Sequence, residues 1–534
     1  MKIKNVSSLE KVFENDSINK FEDYSYIRAL KNEIVSYQIV LKSSKEHVLK
    51  IINNNKAVNI RLVGYVPSNK PIFKEKYDQY YITDKPGLFP DVLYEDVDHI
   101  SIGKKNTVLW ISFNTNDFQL NKTNIEIDFC DTTGKKYKSV FCVDVIDKKL
   151  PQNDLIYSDW LYADCIANYY NIKIKSKKHW EWIEKYISKA SSLGINMIIT
   201  PLFTLPLDTE IGGERSTFQL VGVEYVNGKY IFDFSDFERW IMICKKYNIH
   251  YYEMGHLFTQ WGAKFCPKIE VKEDNRIIKK FGWNVLANSK NYKDFLSQFL
   301  PKLDEELIKM NIDKYTYFHI SDEPGIDDID NYKYAYNLVN NLLHNKYKII
   351  DALSNVEFYD KKIISNPVPA TSKYDSFFDK DIAEKWCYYC GYNSNLVSNR
   401  LFSMPSYRNR IFGIQLYYLN FSGFLHWGFN FYNSQFSKEA INPFLITDGK
   451  EWVPSGDAYI VYPGEKNVLD SIRGMVFLEG LQDRMLLRLL EKKIGFQNVK
   501  KIIEKYAGDV ITFKKYPHDI KFISNLRNAI IDML

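Results

Sequence analysis

Two adjacent carboxylates, Asp322 and Glu323, form the part of the sequence best suited to catalysis. They lie near the end of the stretch YTYFHISDEPG, residues 315–325, whose aromatic and β-branched residues favour a buried strand. Pro324 ends strand pairing because it has no N–H, and it disfavours helical backbone at Glu323. Successive residues of a regular strand point to opposite faces, so neighbouring acids share a site only where the strand ends and turns. A polar loop with an aspartate helix cap would also fit these residues. The choice between a catalytic pair and such a loop depends on the rest of the chain.

The composition indicates a globular protein and argues against several other classes. The 534 residues predict two or three domains, and 45% hydrophobic with 26% charged residues is ordinary for such proteins. The net charge of +5 is small and no long basic run occurs, so nucleic acid is not an expected partner. No segment reaches the roughly 18 uncharged apolar residues that span a bilayer, and no signal peptide is apparent at the N-terminus. We therefore expect a cytoplasmic protein without membrane insertion.

The seven cysteines are odd in number and scattered, which is typical of reduced thiols rather than of a disulfide framework. Cys387 and Cys390 form a CxxC motif, but no second pair and no histidine partner lies nearby in the sequence. We interpret them as two core or loop thiols, and we expect no metal and no cofactor.

The predicted pattern of secondary structure changes near residue 150. Residues 1–150 contain short alternating strands separated by Asn, Gly and Pro turns, which predict an antiparallel β-sandwich domain. From residue 155 strands and helices alternate, and about eight such strands over about 300 residues predict a (β/α)8 barrel. The expected fold is thus multidomain β plus α/β, with a barrel over 155–465 and a C-terminal helical segment over 466–534 packed on the barrel.

The individual elements of the barrel follow from hydrophobic periodicity. The predicted strands cover residues 156–164, 195–202, 249–258, 315–320, 347–353, 368–374, 386–392 and 423–429. The predicted helices cover residues 177–193, 237–247, 292–310, 331–344 and 408–419. The stretch that ends in Asp322 and Glu323 is therefore the fourth strand.

Residues suited to sugar binding gather at the carboxyl ends of these strands, where barrel enzymes place their active sites. Aromatic faces stack on pyranose rings, while Asn, Asp and His hydrogen-bond the hydroxyl groups. The candidates for substrate binding are Asp208, His256, Trp261, Tyr389, Tyr392, Asn393, His426, Trp427 and Asn430. Tyr389 and Tyr392 point inwards together only if the strand ends between them, and of the two we favour Tyr392. Asp164, Asn168, Asp457 and Tyr462 are further polar residues expected near the same mouth.

With these residues in place, the chain resembles glycoside hydrolase family 123, whose members are β-N-acetylgalactosaminidases. The resemblance covers most of the chain, and Asp322 and Glu323 lie in one of its segments. These segments are RALKNEIVSYQIVL (28–41), PGLFPDVLY (86–94), HISDEP (319–324), GFLHWG (423–428) and GDAYIVYPG (456–464). Relatives typically carry a glycine where this chain has Ala458, a difference that affects a loop rather than the chemistry.

The resemblance implies a retaining, substrate-assisted mechanism, an exception to schemes with a protein nucleophile. Glu323 would be the general acid/base, and Asp322 would hydrogen-bond the N–H of the substrate's 2-acetamido group. The acetamido oxygen would then attack the anomeric carbon to give an oxazolinium intermediate. Glu323 must be protonated and Asp322 ionised, a difference that adjacent like charges promote. The implied partner is an oligosaccharide of the glycosphingolipid type with a terminal, non-reducing β-GalNAc, cleaved in an exo fashion.

Two other functions fit the same residues. A retaining barrel glycosidase could use Glu253 or Glu451 as a nucleophile on a sugar without an acetamido group. A non-catalytic carbohydrate-binding protein could keep the fold and the aromatic rim, although such a protein has no need of both acids. The choice between GalNAc and GlcNAc and the oligomeric state stay open at this point.

Overall fold

The structure, a computed structural model, describes residues 1–95 and 97–534, which cluster into two compact units. The sandwich–helix unit comprises Met1–Asp154, Ser394–Asn420 and Pro443–Leu534. The barrel unit comprises Leu155–Asn393 and Phe421–Asn442. By this criterion residues 394–420 and 443–465 group with the sandwich strands, whereas the domain boundaries drawn from the sequence, at 150, 155 and 465, stay predictions.

Ten strands form the β-sandwich of the first unit. They are β1 (Lys2–Ser7), β2 (Tyr26–Lys31), β3 (Ile34–Lys42), β4 (His47–Ile52), β5 (Val58–Ser68), β6 (Gly87–Tyr94), β7 (His99–Ile102), β8 (Thr107–Asn114), β9 (Asn121–Asp131) and β10 (Lys136–Lys149). Two five-stranded sheets result, in the orders β1-β3-β8-β5-β6 and β2-β10-β9-β4-β7. Tyr37 of one sheet stacks on Phe141 of the other at 3.9 Å between ring centroids, in the core between them. The predicted sandwich is confirmed, although β2 runs parallel to β10 rather than antiparallel.

The middle of the chain alternates strands and helices as predicted. Its elements are β11 (Ile156–Asp159), α1 (Ala163–Tyr170), α2 (Lys177–Ser192), β12 (Met197–Thr200), β13 (Gly222–Val226), β14 (Lys229–Asp233), α3 (Ser235–Lys246), β15 (Tyr251–Met254), β16 (Ile269–Glu273), β17 (Arg276–Phe281), α4 (Lys290–Lys309), β18 (Thr316–Phe318), α5 (Ile329–Leu342), β19 (Lys348–Ala352), α6 (Glu357–Asp360), β20 (Asn366–Val368), β21 (Trp386–Tyr388), α7 (Ser406–Tyr418) and β22 (Gly423–His426).

Eight of these strands form one parallel sheet in the order β20-β19-β18-β15-β12-β11-β22-β21. A parallel bridge between Ala370 and Tyr388 joins its two ends, and the Tyr388 N–H donates to the Pro369 carbonyl at 3.1 Å. The predicted (β/α)8 barrel is therefore confirmed, with β18 as the fourth strand. The strands are shorter than predicted at their carboxyl ends, because the chain leaves the sheet there to build the loops of the mouth.

A second sheet lies within the loops that follow the second and third barrel strands. Its order is β14-β13-β16-β17, and only its first hairpin follows from the sequence. Asn227 and Gly228 form the predicted turn, both with positive φ, as tight hairpin turns require. Residues 269–281, which contain β16 and β17, had no strand prediction because their lysine-rich pattern shows little apolar alternation.

The predicted helical tail is also confirmed. After β23 (Tyr462–Pro463) and β24 (Val468–Leu469) come α8 (Ile472–Ile494), α9 (Phe496–Ala507) and α10 (Ile520–Met533). Helices α7 and α8 cross where Gly413 meets Gly480, and a Cβ on Gly413 would lie 1.8 Å from the Gly480 carbonyl oxygen. Among the described residues, no helix combines the length and the apolar character needed to cross a membrane.

Candidate active site

The fourth barrel strand delivers Asp322 and Glu323 to the mouth of the barrel. After β18 the chain stays buried through Ser321, and then Glu323 adopts left-handed backbone with φ of 44°. Such a conformation is uncommon for a residue other than glycine and is often found at functional sites. The Glu323 N–H donates to the Ala352 carbonyl at 3.1 Å, and the Asp322 carbonyl accepts from the Trp261 N–H at 2.8 Å. The strand alternation is thus broken at the pair, and the two carboxyls act on each other electrostatically.

Both carboxyls have raised pKa values. Solvent reaches Glu323, yet the walls of the cleft surround it, and the loss of hydration raises its pKa. Asp322 is half-buried, and burial together with the negative charges of Glu323 and Asp208 holds its pKa well above the usual range. The adjacent pair therefore retains a proton more readily than ordinary carboxyls do.

Tyr388 is a neighbour of the pair that the sequence analysis missed. It is the last residue of β21, and its hydroxyl donates to Glu323 Oε1 at 2.5 Å. Tyr389, which was predicted alongside the favoured Tyr392, is fully buried and packs its ring edge-on against His426 at 5.2 Å. The signal lay in the run WCYYCGY, since a strand ending at Tyr388 rather than Tyr392 turns Tyr388 towards the mouth.

A cleft of about 540 Å³ opens in front of Glu323. Two predicted residues, Tyr392 and Asn393, line it together with Tyr388. The Tyr392 side chain is 55% exposed, and Asn393 Oδ1 accepts from the Ser372 hydroxyl at 3.0 Å. The exposed ring of Tyr392 and the hydrogen-bonded amide of Asn393, next to the Glu323 carboxyl, suit the binding of a sugar ring.

Two further predicted residues, Asp208 and Trp261, lie next to Asp322. Both have left-handed backbone, with φ of 46° and 57°. The Asp208 N–H donates to Gln260 Oε1 at 2.8 Å, which links its loop to the segment that carries Trp261. The Trp261 side chain is 38% exposed and meets Phe436 edge-on at 6.1 Å. This rim therefore presents an indole and a carboxylate beside the acidic pair.

His256 lies below the rim and is nearly fully buried. Its ring stacks on His319 with 4.5 Å between centroids. Within residues 1–95 and 97–534, neither of its ring nitrogens has a hydrogen-bond partner. Burial and the positive charge of His319 both lower its pKa, so the ring is neutral. Buried polar atoms are nearly always satisfied, so these nitrogens call for water or a ligand.

His319 is the centre of a buried cluster with Glu253 and Asp351. Nδ1 donates to Asp351 at 2.9 Å, and Nε2 donates to Glu253. Burial alone would lower the pKa of His319, but the two carboxylates outweigh it and raise the pKa to about 10. His256, His319 and Asp351 offer three possible metal-ligand atoms within 4.8 Å of one another. Both His319 nitrogens are already bonded to carboxylates, so we describe this group as an ion-pair cluster.

The residues predicted at the eighth strand do not line the Glu323 cleft. His426 is fully buried, and its Nδ1 accepts from the Gly428 N–H at 2.9 Å. Trp427 is half-buried and packs on Phe431. Asn430 is fully buried, and its amide both accepts from the Tyr162 N–H at 2.8 Å and donates to the Tyr162 carbonyl at 3.1 Å. The Asn430 side chain thus hydrogen-bonds to the backbone of Tyr162, just after the first strand.

Other residues considered from the sequence are occupied within their own unit. Asp164 forms a two-pronged ion pair with Arg215, at 3.0 and 3.1 Å. Asp457 and Tyr462 belong to the sandwich–helix unit, where the Tyr462 hydroxyl donates to Asp91 at 2.6 Å. Within the described residues, Cys387 and Cys390 form no disulfide, and Cys390 Sγ accepts from the Asn393 amide at 3.4 Å.

Comparison with one solved structure supports the fold. A family 123 glycoside hydrolase from Clostridium perfringens, studied for the details of glycolipid glycan hydrolysis, matches with a TM-score of 0.72 and 16% identity over 99% of this chain and 96% of that chain. A putative glycoside hydrolase from Bacteroides vulgatus matches with a TM-score of 0.34 and 8% identity, over 87% of this chain and 78% of that chain. A xyloglucanase from Bacteroides ovatus matches with a TM-score of 0.29 and 8% identity, over 86% of this chain and 98% of that chain.

No curated protein shows a significant match to the sequence. The family model "Glycoside hydrolase 123, catalytic domain", however, matches residues 160–490, more than half of the chain. That segment contains seven of the eight barrel strands, the acidic pair at the end of the fourth strand and the cleft in front of Glu323. On this match, the chain belongs to glycoside hydrolase family 123.

Proposed function

We propose that the protein is an exo-acting β-N-acetylgalactosaminidase that removes terminal, non-reducing β-GalNAc from oligosaccharides with retention of configuration. The observation that carries the proposal is the adjacent pair Asp322 and Glu323, with Glu323 hydrogen-bonded to Tyr388 in the lining of a cleft. Such a pair suits a reaction in which one carboxyl moves a proton and its neighbour aims a nucleophile that belongs to the substrate.

Glu323 acts as the general acid and then the general base. Its raised pKa lets it keep its proton to higher pH than an ordinary carboxyl, so it can protonate the leaving glycosidic oxygen. The Tyr388 hydroxyl stabilises the carboxylate that this transfer leaves behind. In the second half of the reaction the Glu323 carboxylate takes a proton from the incoming water.

Asp322 accepts the N–H of the 2-acetamido group and so orients its carbonyl oxygen towards the anomeric carbon. That oxygen displaces the aglycone and forms an oxazolinium ion, which water then opens from the opposite face. Two inversions give overall retention. The negative charge of Asp322 also stabilises the positive charge of the intermediate, as preorganised groups do in other sites.

Within the barrel unit, the glutamate considered as a protein nucleophile is engaged elsewhere. Glu253 is fully buried and receives hydrogen bonds from Trp160 Nε1 at 2.7 Å, from the Ser158 hydroxyl and from His319. These contacts favour substrate assistance over a retaining mechanism with a protein nucleophile.

Trp261, His256 and Tyr392 are the residues best suited to hold the sugar. The exposed indole offers a stacking face, and the neutral His256 imidazole has an unused hydrogen-bond capacity that suits a hydroxyl group. The Clostridium perfringens relative was studied on glycolipid glycans, and we propose oligosaccharides of that type as substrates here. The expected cytoplasmic location favours released oligosaccharides over membrane-bound glycolipids.

Hydrolysis of three 4-nitrophenyl glycosides tests the proposal. We expect turnover of the β-GalNAc substrate, slower turnover of the β-GlcNAc substrate and none of the β-galactoside, which lacks the internal nucleophile. ¹H NMR of the first product formed should show the β-anomer. Turnover of the plain galactoside would exclude the oxazolinium mechanism, and no turnover of any glycoside would favour a binding protein.

Tyr388→Phe is expected to move the alkaline limb of the kcat/KM profile to higher pH. The Tyr388 hydroxyl stabilises ionised Glu323 and so lowers its pKa, and its removal lets Glu323 keep its proton longer as pH rises. One lost charge-assisted hydrogen bond corresponds to a shift of about one pH unit. Tyr389→Phe is the matched control, since Tyr389 packs on His426, and it should leave this limb in place. A downward shift in Tyr388→Phe would contradict the assignment.

His256→Phe is expected to raise KM by roughly tenfold while leaving the melting temperature unchanged or higher. Phenylalanine keeps a flat ring over His319 but removes two nitrogens that lack partners in the described chain. A lost sugar hydrogen bond is worth about 1 kcal/mol, whereas removing an unsatisfied buried polar group costs the free protein nothing. Steady-state kinetics and thermal unfolding measure the two effects. Unchanged KM would show that His256 does not contact the substrate.

A further inference from the structure

The two adjacent acids are tied to opposite sides of the barrel mouth. The sheet order places their strand, β18, between β15 and β19, the third and fifth barrel strands. The Asp322 carbonyl accepts from the Trp261 N–H at 2.8 Å, in the loop that follows β15. The Glu323 N–H instead donates to the Ala352 carbonyl at 3.1 Å, at the end of β19. The acidic pair therefore lies where two halves of the mouth meet.

The half on the side of the third strand is one connected rim, called the Trp261 rim below. It consists of the loops after the second, third and eighth strands, which carry Asp208, Trp261 and Phe436. The Asp208 N–H donates to Gln260 Oε1 at 2.8 Å, and the Asp208 carbonyl accepts from the Ser437 hydroxyl at 2.9 Å. The Trp261 ring meets Phe436 edge-on at 6.1 Å. These contacts hold the three loops together beside Asp322.

The Glu323 cleft belongs to the other half of the mouth. The fifth, sixth and seventh strands supply its walls, through residues 354–356, Lys373, Ser376, Tyr388, Tyr392 and Asn393. Glu323 and the three residues after it complete the lining. Among the residues that the structure describes, no member of the Trp261 rim lines this cleft. The rim and the cleft thus lie on different sides of the acidic pair.

The proposed reaction divides the substrate in the same way. Asp322 holds the acetamido group, so the terminal GalNAc lies beside the Trp261 rim. Glu323 gives its proton to the glycosidic oxygen, which is the first atom of the aglycone. The Tyr388 hydroxyl binds Glu323 Oε1 at 2.5 Å and leaves Oε2 to carry that proton. The aglycone therefore extends from the pair into the Glu323 cleft.

The side chains of the cleft suit a hydroxylated ring. Its volume of about 540 Å³ lies within the range of about 300–1,000 Å³ that is typical of small-molecule sites. Asn355 Oδ1 accepts from the Glu357 N–H at 3.0 Å, which fixes the side-chain amide. Within residues 1–95 and 97–534, the Asn355 amide N–H groups and the Lys373 ammonium have no partner. They can donate to hydroxyl groups.

The exposed Tyr392 ring completes these features, since it offers an aromatic face for a sugar ring. A hydrocarbon chain in the same place would cover the Asn355 amide and the Lys373 ammonium without replacing their hydrogen bonds to water, which costs free energy. The lining therefore favours a sugar over a lipid next to the terminal residue.

On the basis of the function proposed above, we propose that the Glu323 cleft is the subsite for the aglycone, that this aglycone is a sugar, and that Tyr392 stacks on its ring. Tyr392 then contacts the second sugar of the substrate, whereas Trp261 contacts the terminal GalNAc. The enzyme thus selects its substrates by the sugar that follows the GalNAc as well as by the GalNAc itself.

Kinetics of Tyr392→Ala on substrates with large and small aglycones test the proposal. The large ones are β-GalNAc-(1→3)-galactose and β-GalNAc-(1→4)-galactose, of which the better substrate is used, and the small one is methyl β-GalNAc. The ratio of kcat/KM for the disaccharide to that for the methyl glycoside should fall about 2- to 10-fold, the range of one aromatic contact. A methyl group is too small to cover the Tyr392 ring. Equal losses on both substrates would overturn the proposal, as would a wild type that cleaves only the methyl glycoside.

Two further variants show whether the effect belongs to the cleft. Trp261→Ala should lower kcat/KM for both substrates by similar factors and keep their ratio, because the terminal GalNAc is common to both. Tyr315→Ala is the matched control, since this tyrosine is 48% exposed and precedes β18 at the end of the strand opposite to the acidic pair. It should also keep the ratio. A fall in the ratio as large in either variant as in Tyr392→Ala would contradict a specific role for Tyr392.

Saturation-transfer NMR gives a readout that does not depend on turnover. In Glu323→Gln, with the same disaccharide, the galactose protons should receive saturation from the protein together with the GalNAc protons. In the double variant Glu323→Gln/Tyr392→Ala, the galactose signals should weaken relative to those of GalNAc. Galactose protons that receive no saturation in Glu323→Gln would show that the second sugar lies outside the cleft.

The outcomes separate this inference from the proposed function. A wild type that hydrolyses no 2-acetamido glycoside overturns the proposed function and this inference with it. An active wild type whose Tyr392→Ala variant keeps the ratio of disaccharide to methyl glycoside overturns the inference alone.

Discussion

Glu323→Gln is expected to lower kcat/KM for a β-GalNAc linked to another sugar by about 10²–10⁴-fold, the usual contribution of general acid–base catalysis. A sugar aglycone departs as a poor leaving group and needs the proton that Glu323 supplies. Glutamine keeps the shape of the side chain and can still meet the Tyr388 hydroxyl, but it has no proton of suitable acidity. Steady-state kinetics on a β-GalNAc-terminated oligosaccharide measure the loss.

The leaving group separates this role from a structural one. With 4-nitrophenyl β-GalNAc the aglycone departs with little help from a proton, so the loss in the first step should be much smaller. The alkaline limb of the profile, set by the raised pKa of Glu323, should vanish in the variant. Glu357→Gln, at an exposed site on α6, is the control and should match the wild type. Equal losses on both substrates would show that Glu323 is not the proton donor.

The barrel could be predicted because its signals are local. Apolar runs such as 197–200 and the helices between them follow from periodicity, and Pro324 marks the point where the fourth strand ends. The exact strand ends could not be predicted, since they depend on pairing with neighbouring strands. For this reason Tyr389 and Tyr392 were predicted and Tyr388 was not. The strand ends four residues earlier than predicted, which changes the side chains that face the mouth.

Long-range contacts account for the other differences. Glu253 fitted the pattern of a catalytic nucleophile, because no sequence pattern shows that Trp160, Ser158 and His319 converge on it. Asn430 has the chemistry of a sugar ligand, but both ends of its amide meet the backbone of Tyr162. Both side chains were judged by type and position along the chain, whereas their roles depend on partners distant in sequence.

Asp322→Asn is expected to lower kcat/KM by about 10²–10³-fold, as the loss of one preorganised electrostatic group does elsewhere. Asparagine can still accept the acetamido N–H through its oxygen, so the substrate should bind with little change in KM. It cannot supply negative charge to the acetamido group as the oxazolinium forms, so the loss should appear in kcat. The comparison of kcat and KM on 4-nitrophenyl β-GalNAc measures this division.

The leaving group should make no difference to this variant, in contrast to Glu323→Gln. The acetamido oxygen must attack whether the aglycone is good or poor, so activated and unactivated β-GalNAc substrates should lose activity alike. Asp330→Asn, which changes an exposed carboxylate on α5, is the control for the loss of an acidic charge. If Asp322→Asn kept wild-type activity, the carboxylate would not be aiming the nucleophile, and the adjacency of the two acids would need another explanation. If Glu323→Gln lost activity mainly on unactivated substrates and Asp322→Asn lost it equally on both kinds, the results would assign proton transfer to Glu323 and orientation of the acetamido group to Asp322.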